Sequence, residues 1–137
     1  MKKISYGLRF YLVLSFLLDP IYFIYQLISV LRGKENPKRL WERWVTKQIK
    51  RPSGKLIWLH AASVGESLSL LPLIEKIIAD NPKINILITS TTKTSAEILE
   101  KISKPQIIHR MAPYDTFFVS KRFLKYWEPD LAIRVES

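Results

Sequence analysis

The chain has no cysteine, which removes disulfides and thiolate metal sites. Histidine is scarce. His60 and His109 stand far apart without ligand-spaced partners, so a zinc site is not expected. Glycine occurs four times in 137 residues, and no Gly-x-x-x-x-Gly-Lys-Ser/Thr phosphate loop is present. No small-residue cleavage site follows the hydrophobic N-terminus, and the apolar region is too long for a signal peptide. Internal repeats and low-complexity segments are also missing.

Acidic residues are scarce in the first third. Residues 1–55 hold twelve Lys and Arg against three Asp and Glu, whereas residues 56–137 hold ten against nine. Nearly all of the net charge of +10 therefore belongs to the N-terminal arm. A basic chain makes nucleic acid a candidate partner. Here the bases adjoin a membrane-length apolar run, so an anionic membrane surface is expected instead, and no nucleic acid. With 47% hydrophobic and 25% charged residues, the chain has the composition of a globular domain with a real core.

Residues 10–31 are almost all apolar. As a helix this run measures about 33 Å, enough to cross a hydrocarbon core. Asp19-Pro20 interrupts it. A mid-bilayer Asp costs about 2.5–3.5 kcal/mol on insertion scales and Pro kinks a helix, so a bent span and a helix pair in one leaflet are both allowed. A buried core helix is the soluble alternative. The basic flank, residues 32–54, places that side in the cytoplasm by the positive-inside rule. Trp41 and Trp44, three apart, suit either the headgroup level or packing on the domain. Arg51-Pro52-Ser53-Gly54 is turn chemistry and marks a boundary.

From residue 55 onward, strands alternate with helices. Strands are expected over 55–60, 84–89, 106–109 and 131–135. Helices are expected over 66–80, 95–102 and 116–127, with Pro72 disturbing the first. This alternation predicts an α/β fold with a parallel sheet and right-handed crossovers. The last strand runs straight into Glu136-Ser137, so the sheet is expected to be partly uncovered and the domain incomplete.

Candidate chemistry collects where strands end. The turn Ala61-Ala62-Ser63-Val64-Gly65-Glu66 delivers a carboxylate to a helix start at the end of the first strand, where open α/β sheets bind ligands. It is not a nucleophile elbow, because no Gly lies two residues before Ser63. Glu66 near a helix N-terminus is favoured as the anion, which suits a general base; it can equally be a helix cap. Ser90-Thr91-Thr92-Lys93-Thr94 offers hydroxyls and amides for phosphate or sugar, or a hydroxyl cap. Glu136 would share the sheet edge with Glu66.

These segments occur in a recognisable order: Trp58-Leu59-His60-Ala61-Ala62-Ser63-Val64-Gly65-Glu66, Leu71-Pro72-Leu73-Ile74, the Thr-rich turn, Ala112-Pro113-Tyr114-Asp115, and Arg122-Phe123-Leu124 with Pro129. The chain resembles the N-terminal domain of the 3-deoxy-D-manno-octulosonic acid (Kdo) transferases. The resemblance implies a Rossmann-like domain of a GT-B glycosyltransferase at the cytoplasmic face of the inner membrane. It implies inverting transfer of Kdo from CMP-Kdo to a lipid A precursor, without metal or cofactor.

By the same resemblance Glu66 is the proton acceptor, and Glu136 is the first Glu of a Glu-x-Glu-x-Trp-Pro-Asn segment linked to transition-state stabilisation. His60, Ser63, Gly65, Thr91 and Thr92 are expected on the acceptor side. The expected organisation is a membrane anchor over 1–31, a basic surface segment over 32–54 and an acceptor-binding domain over 55–137. The family's usual Thr-Pro-Thr-Gly is replaced by Thr92-Lys93-Thr94-Ser95, and Arg134 stands where the family is usually apolar. The CMP-Kdo half of the family pattern lies beyond Ser137. The chain alone is therefore expected to be inactive, or to be a membrane-associated binding protein working with a separately encoded C-terminal half.

Overall fold

The structure, a computed structural model, describes residues 6–46, 49–102 and 104–135. Its centre is a four-stranded, wholly parallel sheet of β1 (Leu56–Ala61), β2 (Asn85–Ser90), β3 (Ile107–Met111) and β4 (Leu131–Arg134), in the order β3-β2-β1-β4. The helices are α1 (Tyr6–Leu31), α2 (Leu40–Arg43), α3 (Val64–Asp80), α4 (Lys93–Leu99) and α5 (Phe117–Trp127), with a 3-10 turn at Pro37–Arg39. The alternation expected from the sequence is present, with boundaries moved by at most three residues. Pro72 lies inside α3 without ending it.

Strand pleating explains the layers. Successive side chains point to opposite faces, so Leu59 and Ala61 of β1 join Ile86 and Ile88 of β2 against Leu70 and Ile74 of α3 and Leu99 of α4. On the other face Leu56 and Leu87 pack with Val119, Phe123 and Trp127 of α5, and Trp58 lies tilted against Phe123 with ring centres 4.7 Å apart. The chain winds outward through α3 and α4, then returns along α5 to place β4 on the far side of β1. The winding direction therefore reverses between β1 and β4. Ligands of doubly wound sheets bind at such a reversal, outside the carboxyl ends of the strands.

The N-terminal arm is part of this body. Trp44 and Val45 pack into the α5-side core, and Tyr114 of the β3–α5 loop lies against both Trp44 (5.0 Å) and Tyr22 of α1 (4.8 Å, stacked). Arg51 ties the boundary turn to the end of α5, donating to the Trp127 carbonyl at 2.6 Å and the Glu128 carbonyl at 3.1 Å. Arg39, Arg43 and Arg51 thus grip the domain, while Arg32, Lys34, Lys38 and Lys50 remain exposed. Trp44 is half-buried by this packing and Trp41 is more exposed.

Two of the alternatives for the apolar run are corrected. It is one continuous helix of 26 residues through Pro20, not a helix pair. Nor is it a core helix: its buried residues are Ser15, Gln26 and Ser29, all polar, while Phe10, Val13, Phe16, Leu17, Ile21, Ile24 and Leu31 are exposed.

Candidate functional site

A cleft of about 1000 Å³ opens at the carboxyl edge of the sheet. Its floor is Trp58, His60 and Ala62 from the end of β1 and Ala132 to Arg134 from β4; its sides are the loop 91–94 after β2 and the loop 112–115 after β3. Tyr22, Tyr25 and Ser29 of α1, with Lys34, Glu35 and Arg43 of the arm, close the opposite wall. The cleft therefore sits at the winding reversal.

One row of side chains crosses the sheet under it. Strand register aligns Arg134 of β4 with His60 of β1, His60 with Thr89 of β2, and Thr89 with Arg110 of β3. Thr89 is fully buried and its hydroxyl meets both the Trp58 indole N–H and His60 Nδ1 at 2.9 Å. Those contacts fix the imidazole plane. Burial first, then the Arg134 guanidinium, hold His60 below the usual histidine range against the opposing pull of Glu66. His60 is accordingly neutral at physiological pH and serves as a hydrogen-bonding group rather than a cation.

Glu66 is placed by a capping box. Ser63 is the N-cap of α3; its hydroxyl accepts from the Glu66 N–H at 3.2 Å, and Glu66 Oε2 accepts from the Ala62 N–H at 2.6 Å and the Ser63 N–H at 3.4 Å. The sequence Ser-x-x-Glu folds this way because both partners satisfy N–H groups that a helix start leaves unpaired. The cap reading left open by the sequence is therefore realised in the geometry. It does not compete with a role as base: two amides on one oxygen and the positive end of α3 all favour the carboxylate anion.

Other expected site residues divide. His60, Thr91 and Thr92 line the cleft; Ser63, Gly65 and Glu66 lie on the turn just past Ala62, beside it. Thr92 also caps α4, accepting from the Ser95 N–H at 3.1 Å and bonding its hydroxyl at 2.7 Å. Ser95 is wholly buried in that cap. Gly65 has ordinary backbone angles, and a Cβ there would come no nearer than 4.0 Å to the Ser63 hydroxyl. The turn therefore does not need a glycine to fold. Glu136 lies outside the described residues.

The sequence reading missed what holds the loops. Arg43 is buried; it donates to the carbonyls of Thr91 and Ala112 and pairs with Glu35 at 2.7 Å, its guanidinium 5.6 Å from the Tyr114 ring centre. One side chain thus joins the arm to the loops after β2 and β3. A second lock lies deeper. Glu42 bonds Arg39 at 2.6 Å, Arg110 at 3.0 Å and the Met111 N–H at 2.9 Å. Burial pushes its carboxyl up, but those partners outweigh it and the net shift is downward. Arg39 also pairs with Glu100 and donates to His109 Nδ1 at 3.1 Å. Because a guanidinium only donates, His109 carries its proton on Nε2, toward Ser90 Oγ at 2.9 Å. Burial and the two arginines lower His109 to about 4. The available signal was that the basic segment's two acids, Glu35 and Glu42, lie within eight residues of their arginine partners, Arg43 and Arg39; in so basic a segment they are ion-pair anchors.

A family model described as 3-deoxy-D-manno-octulosonic-acid transferase (kdotransferase) matches residues 38–137. A 3-deoxy-D-manno-octulosonic acid transferase of Rickettsia bellii (strain RML369-C) is 42% identical over 95% of this chain and 31% of its own length. That of Rickettsia felis (strain ATCC VR-1525 / URRWXCal2) is 34% identical over 93% of this chain and 38% of its own. A probable mitochondrial 3-deoxy-D-manno-octulosonic acid transferase of Arabidopsis thaliana is 32% identical over 100% of this chain and 31% of its own. The chain thus spans about a third of the length of these curated relatives. No solved structure gives a significant match.

Proposed function

The chain belongs to the Kdo transferase family, and from that premise we propose that it is the acceptor-side part of a glycosyltransferase of lipopolysaccharide biosynthesis. It transfers Kdo from CMP-Kdo to a lipid A precursor at the cytoplasmic face of the inner membrane, with the donor held by a second domain in a GT-B arrangement. The observation that carries the reading is the position of Glu66: an amide-stabilised carboxylate at the end of β1, beside a cleft at the winding reversal, within the matched family segment.

In this mechanism Glu66 takes the proton from the attacking acceptor hydroxyl. The oxygen forms its bond to the anomeric carbon of Kdo from the face opposite CMP, and the bond to the CMP phosphate breaks, which inverts that centre. The base must be ionised before the acceptor binds, and its capping contacts favour that state. His60, neutral and fixed through Thr89, orients the acceptor sugar; Thr91 and Thr92 supply hydroxyls along the same wall. Glu136 stabilises charge at the departing group. The reaction uses no metal or cofactor, and the same membrane lipids that hold the enzyme present its acceptor.

The test is transfer of radiolabelled Kdo from CMP-Kdo to lipid A precursor in membranes containing the protein expressed from its native gene. Wild type is expected to transfer and Glu66→Gln to lose transfer. Undiminished transfer by Glu66→Gln removes the base assignment. Wild-type protein that binds the precursor but transfers nothing, even with a separately supplied donor-binding half, identifies a non-catalytic binding protein instead.

A further inference from the structure

The polar residues inside the apolar run, Ser15, Asp19, Tyr22, Gln26 and Ser29, follow one another at steps of four, three, four and three. That period puts them on one helix face. All five are buried or half-buried against the domain. Ser15 Oγ accepts the Phe117 N–H at 3.2 Å, and Gln26 donates to the Leu40 carbonyl at 2.9 Å while accepting the Trp44 indole N–H at 2.7 Å. The opposite face carries Phe10, Val13, Leu17, Ile24 and Leu31, each more than half exposed. This inverts the pattern of a water-soluble surface helix.

We propose that α1 lies flat in one leaflet of an anionic membrane, its polar stripe clamped to the α/β domain and its apolar face among the acyl chains. Its contacts with the domain run from Tyr11, beside Phe117 at 6.3 Å, to Gln26, about 22 Å of helix. A docked helix standing across the bilayer would carry α5 into hydrocarbon, where each of its exposed Lys121, Arg122 and Lys125 costs about 2.5–3.5 kcal/mol. An undocked one would move Ser15, Asp19, Gln26 and Ser29 into lipid and strand the Trp44 indole.

Charge makes the same choice. Lys2, Lys3 and Arg9 precede the apolar run, and Arg32 and Lys34 follow it. A span has its basic residues mainly on one side; bases at both ends fit two ends at the same headgroup layer, attracted by anionic lipid. Tyr22 and Ser29 of the stripe also wall the cleft, so the cleft mouth meets the leaflet. This placement rests on membrane attachment and is independent of the chemistry proposed for Glu66.

The absence of cysteine makes every introduced cysteine unique. Single variants Tyr6→Cys and Arg32→Cys mark the two ends of α1; Val13→Cys, Leu17→Cys and Ile24→Cys mark its outer face. Each is bound to sealed vesicles of phosphatidylethanolamine with phosphatidylglycerol. Both ends are expected to react fully with a membrane-impermeant maleimide from outside, and nitroxide labels at the three outer positions to report similar depths. One protected end, with Leu17 deepest, means a span; that overturns the flat placement and leaves the transferase reading standing. Protein that stays off the vesicles while its outer cysteines cross-link between copies means that a second copy covers the face, and overturns the lipid assignment.

Discussion

Glu66 has two tasks, capping α3 and, as proposed, accepting a proton, and these separate by substitution. In Glu66→Gln the amide oxygen still accepts from Ala62 and Ser63, since Gln completes a capping box as Glu does. What is lost is the charge at the helix N-terminus, about 0.3–1 kcal/mol of stability. In Ser63→Ala the carboxylate stays while the acceptor for the Glu66 N–H, now at 3.2 Å, disappears, costing about 0.5–2 kcal/mol. The folding effects are therefore similar, with Ser63→Ala the larger. Transfer should rank the other way. Losing a general base costs about 10²–10⁴-fold in rate, or roughly 3–5 kcal/mol of barrier, whereas Ser63→Ala should stay within about tenfold. The assay is initial rate of Kdo transfer with saturating CMP-Kdo, alongside urea denaturation of each variant. If Glu66→Gln transfers within threefold of wild type while Ser63→Ala loses about 0.5–2 kcal/mol of stability, the carboxylate is a cap only.

Further outcomes follow from the same geometry. Arg43→Met strands half-buried Glu35 and two loop carbonyls, and should destabilise by about 3–5 kcal/mol in denaturant; a cost below about 1 kcal/mol means that the loops hold themselves. His109 is lowered to about 4 in the folded chain against about 6.5 unfolded. The unfolded state therefore binds more protons between those values, and stability should fall as pH drops from about 6.5 to 4, by on the order of 3 kcal/mol; His109→Gln should flatten that window in pH-dependent melts. Gln26→Leu makes α1 more apolar yet should destabilise the fold by about 1–3 kcal/mol, because the Trp44 indole and the Leu40 carbonyl lose their partner; equal or higher stability would refute the clamp. Gly65→Ala should fold as well as wild type, since its Cβ meets nothing closer than 4.0 Å, and should raise the KM for the acceptor if sugar approaches that turn.

The strand–helix alternation from residue 55 onward was legible in the sequence because periodicity and turn residues are local properties. So was the turn at Glu66, whose Ser-x-x-Glu spacing already encodes a capping box. The family match over residues 38–137 includes that turn. Local spacing also contained the stripe from Ser15 to Ser29, but a window average reads those residues as interruptions of an apolar run. Only packing shows that they share the face turned toward the domain.

The basic arm was legible as charge and not as structure. Composition cannot tell a guanidinium held at 2.7 Å from Glu35 from one facing a headgroup, because the partner carbonyls of Arg43 lie 48 and 69 residues away in sequence. The sequence by itself determined which elements form, where the carboxylate turn falls and that the first third is basic and apolar. The tertiary structure decided which face of α1 is turned inward, which arginines are consumed in holding the loops, and that Arg134, His60, Thr89 and Arg110 form one row. Those are long-range relations, fixed by sheet register and by the need of buried polar groups to find partners wherever the chain brings them.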